Sequence, residues 1–309
     1  MNLKLLNESL NNSSNNRMGI DLGGGYIKCS IVDIVNSKVL FTKSYNYQLT
    51  KHLLENNNFI TQSKINEIIR IIKEFKLYGQ QYNVNKINAV ATGGLRICKN
   101  NNELIKQVYD NTGIKIDLID GITEAELSRI GALMYFNNNR YKDKNFIIID
   151  LGSTSTEISL VTLDRSIQSF SKNVGATLFT QKFNTYDRVI DDSEFIKMNL
   201  YLDSFFKNIN IRIPLNSIFI LTGASGFNIL EVDNPNLTDD YIKSKGIMPI
   251  NINQINNVIN ITKSNRNNRQ EDHERVFAHA FMLKYLFRLL NINILWYSTT
   301  TLKESLAFI

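Results

Sequence analysis

From Met18 onward the chain alternates short apolar runs with turns of glycine or other small residues. The run from Met18 ends at Gly23-Gly24-Gly25, and the next segment, up to Asp33, alternates apolar with polar positions, a pattern that predicts a β-hairpin. A third strand is expected over Lys38 to Tyr45. Ser63 to Tyr78 then carries Ile65, Ile68, Ile69, Ile72 and Phe75 at helical spacing, with Ser63 as the expected N-cap. Lys86 to Thr92 reads as a short buried strand ending at Gly93-Gly94, Glu103 to Tyr109 as a helix and Lys115 to Ile119 as a further strand. A helix opens at Gly121 and runs to about Tyr135.

The second half starts again. Phe146 to Val161 is an apolar strand ending in Ile149-Asp150-Leu151-Gly152, a small-residue turn and an alternating strand, so that Ile-Asp-Leu-Gly occurs twice in the chain. A third strand is expected near Ser166 to Ser171, helices around Gly175–Phe183 and Ser193–Phe206, and a strand Ser217–Leu221 before Thr222-Gly223. A helix from about Glu274 to Leu290, a strand Asn293 to Tyr297 and a helix Thr301 to Phe308 complete the pattern. Strand, turn, strand, strand and then alternating helices and strands build a mixed sheet with helices on its faces. Two such halves imply an α/β protein with a cleft, where turn amides and helix N-termini at the sheet ends hold anions. One Asp-x-Gly turn is an ordinary hairpin; two copies about half a chain apart argue for a shared role.

The 309 residues are 43% hydrophobic and 21% charged, enough apolar side chain for a core in each of two domains. No apolar run approaches the ~20 residues of a membrane helix. Residues 1–17, rich in Asn and Ser, lack the features of a signal peptide and read as a disordered leader. The two cysteines, Cys29 and Cys98, are too few for a four-cysteine zinc site, an iron–sulfur cluster or a disulfide framework, and fit a reducing cytoplasm. A net charge of +6 favours an anionic partner. With no run of five or more Lys/Arg and no RNA-binding aromatic signature, nucleic acid is not the expected partner.

Further segments resemble one family within the actin, sugar-kinase and Hsp70-like superfold. Ala91-Thr-Gly-Gly-Leu-Arg-Ile-Cys-Lys-Asn100 is similar to the Ala-Thr-x-x-Leu-Arg-x-Ala-x-Asn segment of the exopolyphosphatase and guanosine pentaphosphate phosphatase (Ppx/GppA) family. Gly121 to Gly131 resembles its Gly-x-Glu-Glu-Ala-Arg-Leu helix start, Asp150 to Glu157 its Asp-x-Gly-Gly-Gly-Ser-Thr-Glu, and Val174 to Thr180 its Leu-Gly-Ala-x-x-Leu-Thr. Leu302-Lys-Glu-Ser305 resembles its closing Leu-Arg-Glu-Gly turn. The resemblance implies two actin-like (ribonuclease H-like) domains, 18–122 and 123–309, with the active site in the cleft between them and the last helix, 300–309, packing back on the first. It implies a Mg²⁺-dependent hydrolase that removes terminal phosphate from polyphosphate or the 5′ phosphate from guanosine pentaphosphate. Glu124 matches the catalytic base, and Asp150 and Glu157 match the acids that handle metal and water. Gly23, Gly24 and Gly25 match the first phosphate turn, Gly152, Ser155 and Thr156 the second, and Arg96 the cleft arginine. The chemistry is coherent: phosphoanhydride hydrolysis needs an oriented water, a carboxylate to take its proton, and cations and amides to hold the phosphoryl charge. A homodimer is a possible assembly for such folds. With the chain ending at Ile309, extended tracking along a polymer is not expected.

The chain departs from the family pattern at Thr123, Glu126, Ser153 and Thr154, at the first turn, which lacks the usual hydroxyl and amide residues, and at Ser305. Each assignment also has a plainer reading. Glu124 would favour a helix dipole, Asp21 and Asp150 could accept turn amides, Glu157 could be a solvated strand residue, and Arg96 a surface charge. His52, His273 and His279 are read as surface or packing residues, and Ser225 lacks the spacing of a nucleophile elbow. Two alternatives to the hydrolase remain. Gly223 to Asn228 resembles the adenosine-contacting segment of ATP-dependent kinases of the same superfold, and the departures would suit a non-catalytic phosphate-binding regulator.

Overall fold

The computed structural model describes residues 15–136, 141–183, 185, 190–264 and 273–309. Most of the expected leader lies outside them, but Asn16 and Arg17 already belong to the first strand. The chain divides into two compact units, unit 1 comprising Met1–Leu118 with Lys303–Ile309, and unit 2 comprising Ile119–Leu302.

Unit 1 contains β1 (Asn16–Leu22), β2 (Tyr26–Asp33), β3 (Lys38–Asn46), α1 (Leu49–Glu55), α2 (Gln62–Gln81), β4 (Lys86–Ala91), α3 (Gly93–Arg96), α4 (Asn101–Thr112) and β5 (Ile116–Leu118). Its sheet has the order β3-β2-β1-β4-β5. The first three strands are antiparallel, and β4 and β5 join in parallel. Ile65, Ile68, Ile69, Ile72 and Phe75 of α2 are all buried, together with Met18, Ile20 and Leu22 of β1, in one apolar core. The cap of α2 is Thr61, whose side chain accepts from the Lys64 amide, two residues before the expected Ser63; the polar run Thr61-Gln62-Ser63 offers either choice. Helix α1 went unread because Leu49–Glu55 is too short to show a period.

Unit 2 contains α5 (Gly121–Ala132), β6 (Asn145–Leu151), β7 (Thr156–Val161), β8 (Ile167–Lys172), α6 (Ala176–Phe183), α7 (Asp192–Phe206), β9 (Ser217–Thr222), α8 (Ala224–Asp233), α9 (Asp239–Lys245), β10 (Ile247–Asn251), α10 (Ile252–Ser264), α11 (His273–Leu289) and β11 (Ile294–Ser298). Its sheet order, β10-β11-β9-β6-β7-β8, repeats that of unit 1 and adds β10 as an antiparallel edge strand. Helix α5 stops at Ala132, and a 3₁₀ turn covers Leu133–Phe136 where the sequence suggested continuous helix. The final element is likewise shorter than expected: α12 (Leu302–Ser305) passes into a 3₁₀ turn at Leu306–Phe308, which packs on β1. There Gly19 has no room for a side chain, since a Cβ would lie 1.9 Å from the Lys303 carbonyl oxygen. Among the described residues no helix is long and apolar enough to cross a membrane.

Candidate active site

In unit 2 the antiparallel pairing of β6 with β7 sets Asp150 opposite Glu157 and Leu151 opposite Thr156. Directly opposed residues share a face of the sheet, so the two carboxylates are neighbours by register. Helix α5 packs over these strands. It starts sharply because Asp120 caps it, accepting from the Thr123 amide at 2.8 Å, and Glu124 follows in the first turn. One helical turn further on, Ser128 donates to Asp150 Oδ2 at 2.5 Å. Ser171, opposite Glu157 on β8, donates to Glu157 Oε1 at 2.9 Å, and the Ser155 hydroxyl bonds the same carboxylate.

Glu157 is only 2% exposed. Burial holds its carboxyl well above the usual carboxylate range, and the negative charges of Glu124 and Asp150 push it further in the same direction. The solvated strand residue that alternation allowed is therefore excluded, and the three acids matched to the family form one electrostatic cluster. Glu126 is exposed, and its position two residues along a helix turns it about 200° from Glu124. Gly223, at φ 91°, adopts a backbone conformation that favours glycine, and a Cβ there would come within 2.8 Å of Asp150 Oδ1.

The donor set suits a hard divalent cation: oxygen ligands only, with mutual repulsion that a positive charge relieves. Among the described residues no three His, Cys, Asp or Glu side chains gather as an all-protein metal cage. Mg²⁺ does not require one, since it is commonly held by one or two carboxylates plus waters and substrate phosphates.

The turn joining β6 to β7 is braced from inside unit 2. Gly152 donates to the Ser155 carbonyl and accepts from the Ala176 amide at 2.9 Å, and the Ser153 carbonyl accepts from the Thr177 amide at 2.9 Å. Gly175 lies so close that a Cβ would fall 2.5 Å from the Thr154 nitrogen. The Thr156 hydroxyl, matched to phosphate binding, spends its proton on the Val174 carbonyl at 2.6 Å.

Unit 1 builds the corresponding turn at Gly23, Gly24 and Gly25. Gly23 donates to Tyr26 O and accepts from the Tyr47 hydroxyl, Gly24 O accepts from the Thr50 amide, and Gly25 O accepts from the Tyr47 and Gln48 amides. All three carbonyls are thus committed, while among the described residues neither the Gly24 nor the Gly25 amide donates to a protein acceptor. Gly94, just after β4, backs the turn so tightly that a Cβ would lie 2.6 Å from the Gly24 Cα. Half-buried Arg96 follows at the end of α3.

The segment Gly223 to Asn228 is used for internal packing. A Cβ at Gly226 would overlap the Tyr297 ring, and Asn228 bonds His279 Nδ1 at 3.3 Å. His279 is a buried packing residue, and both cysteines are free and buried. Sequence reasoning passed over Ser128 and Ser171. Ser128 carried a usable signal in its four-residue spacing from Glu124; Ser171 becomes visible only through strand register.

Two mixed sheets of duplicated topology with flanking helices place the chain among α/β proteins of the actin-like two-domain class. The Cytophaga hutchinsonii exopolyphosphatase has this fold, with a TM-score of 0.80 at 19% identity over 94% of this chain and 96% of that one. An Aquifex aeolicus Ppx/GppA enzyme shares it with a TM-score of 0.78 at 15% identity, covering 95% and 99%. The chain belongs to the Ppx/GppA phosphatase family, whose sequence profile matches residues 30–308. It is 27% identical over 232 residues to the bifunctional 3-dehydroquinate synthase/phosphatase of Fusobacterium nucleatum, covering 70% of this chain and 33%, about a third, of that protein. It is 23% identical over 294 residues to a Haemophilus influenzae protein provisionally named an exopolyphosphatase, covering 94% and 89%.

Proposed function

We propose that this chain is a Mg²⁺-dependent phosphoanhydride hydrolase that releases terminal phosphate from inorganic polyphosphate, with the 5′ phosphate of guanosine pentaphosphate as the second substrate. The observation that carries this reading is the cluster of Glu124, Asp150 and Glu157 in a phosphatase-family chain. Polyphosphate comes first because the Haemophilus and Cytophaga relatives carry the exopolyphosphatase name.

Glu124, half-buried in the first turn of α5, takes the proton of the attacking water. Asp150 and Glu157 would hold the cation, which when bound would supply positive charge beside the transferring phosphoryl group. Ser155 and Ser171 orient the Glu157 carboxylate. The Gly24 and Gly25 amides and the Arg96 guanidinium are the phosphate-gripping groups of unit 1, the amides by close backbone approach and the guanidinium by bidentate bonding.

The test is phosphate release from polyphosphate, guanosine pentaphosphate and ATP side by side, with Mg²⁺ or Mn²⁺ and with Glu124→Ala as the blank. Release from polyphosphate above the blank is expected. Equal values for enzyme and blank on every substrate would leave a phosphate-binding regulator in its place.

A further inference from the structure

Ser128 occupies an unusual position for a serine inside a helix. Such a hydroxyl ordinarily bonds back to the carbonyl four residues earlier, which here is that of Glu124. A hydroxyl has one proton, and this one crosses from α5 to β6 to meet Asp150 Oδ2 at 2.5 Å. Ser128 is 1% exposed, so its hydroxyl is shielded from bulk water. The helix that carries it is fixed at both ends. Asp120 caps its start, and near its end the Gly131 carbonyl accepts from the Thr300 hydroxyl at 2.8 Å while the Gly131 Cα sits against the Thr301 backbone.

We propose that Ser128 is a positioning residue for the metal-facing carboxylate of Asp150. It holds Oδ2 against α5, leaves Oδ1 on the side of Gly223, and so ties the aspartate to the helix that bears Glu124. This hydroxyl thereby links the orientation of the cation ligand to the placement of the base. The inference rests on the reading of Asp150 as a metal ligand.

The experiment compares wild type, Ser128→Ala and Asp150→Asn by Mn²⁺ titration, reading bound ion by electron paramagnetic resonance, and by steady-state phosphate release from polyphosphate. Thermal melts in EDTA confirm that each variant is folded. Loss of an outer partner of a metal ligand typically costs 10- to 100-fold in metal affinity or activity. Ser128→Ala should therefore weaken Mn²⁺ binding by about 10-fold and lower kcat, with KM for polyphosphate within about 2-fold, because substrate grip is untouched. Asp150→Asn should lose the bound-ion signal. If wild type binds Mn²⁺, Asp150→Asn does not, and Ser128→Ala binds as wild type, the serine is only packing and this proposal falls alone. If Asp150→Asn binds Mn²⁺ as wild type does, the assignment of Asp150 itself is wrong, and the proposal falls with it.

Discussion

At the tip of the β1–β2 hairpin Asp21 stands opposite Lys28; at the tip of the β6–β7 hairpin, in the same register, Asp150 stands opposite Glu157. The two turns are braced alike. Gly23 and Gly152 each donate to the carbonyl three residues on, and the carbonyls of Gly24 and Ser153 each accept from the amide of a threonine near the start of the following helix, Thr50 and Thr177. Duplication preserved the backbone and divided the electrostatics. In unit 1 the cross-strand partner of the aspartate is a lysine, so the opposed pair carries no net formal charge. In unit 2 two carboxylates face each other beneath a third, and neutralisation must come from a proton or an external cation. On the proposed function, one scaffold yields a turn for phosphate and a turn for metal and water.

The largest effect that would sharpen this contrast belongs to the proposed base. Glu124→Gln keeps the shape and removes the basicity, so kcat on polyphosphate should fall by about 10²–10⁴ with KM nearly unchanged. Glu126→Gln, on the exposed side of the same helix, should leave both constants alone. A rate carried by Glu126 would displace Glu124 from its role.

Next comes the pairing itself. Lys28→Glu gives unit 1 the opposed carboxylate pair of unit 2. Because Asp21 is buried, the change should destabilise the fold by about 2 kcal/mol in urea titrations. Unchanged stability would mean that the two hairpins differ in sequence and not in electrostatics.

The smallest effect separates the units by pH. His279, the buried histidine of unit 2, has its pKa pushed down to about 3, by burial first and by Arg275 second. A base with a depressed folded pKa stays neutral while the unfolded chain takes up a proton. Its contribution is therefore fully present above about pH 6.5 and is lost progressively as pH falls toward 3. From pH 6.5 to 5.5 that is about 1 kcal/mol. Unit 1 has one histidine, His52, which is only partly buried. Amide exchange at pH 5.5 should accordingly accelerate in unit 2 more than in unit 1, and His279→Gln should reduce the difference. Equal acceleration in both units would assign the acid sensitivity elsewhere.

The duplicated hairpins were legible in the chain because an apolar run broken by Asp-Leu-Gly is a local pattern, and local patterns survive in a linear reading. The same holds for α2, whose buried positions follow its isoleucines. What escaped was set by tertiary geometry. Residues 49–55 are helical although the segment is too short to show a period, and β10 depends on pairing with β11. The acids Glu124, Asp150 and Glu157 were named by family likeness; their mutual electrostatics needed strand register and the docking of α5. Ser171 reaches Glu157 only because β7 and β8 align residues fourteen positions apart.

The return of Lys303–Ile309 to unit 1 also orders events in time. β1 leaves the ribosome before every other described strand, yet Arg17 bonds the carbonyl of Ala307, a residue 290 positions later. At typical synthesis rates of ~10 residues per second, about half a minute separates the two. The antiparallel strands β1 to β3 can pair in the interim, but the space above Gly19 stays open until Lys303 and Leu306 are translated. Completion of unit 1 is therefore coupled to synthesis of all of unit 2, and a ribosome that stalls within unit 2 leaves a nascent chain in which Arg17, Lys86 and Asn88 still lack the carbonyls they bond in the finished unit.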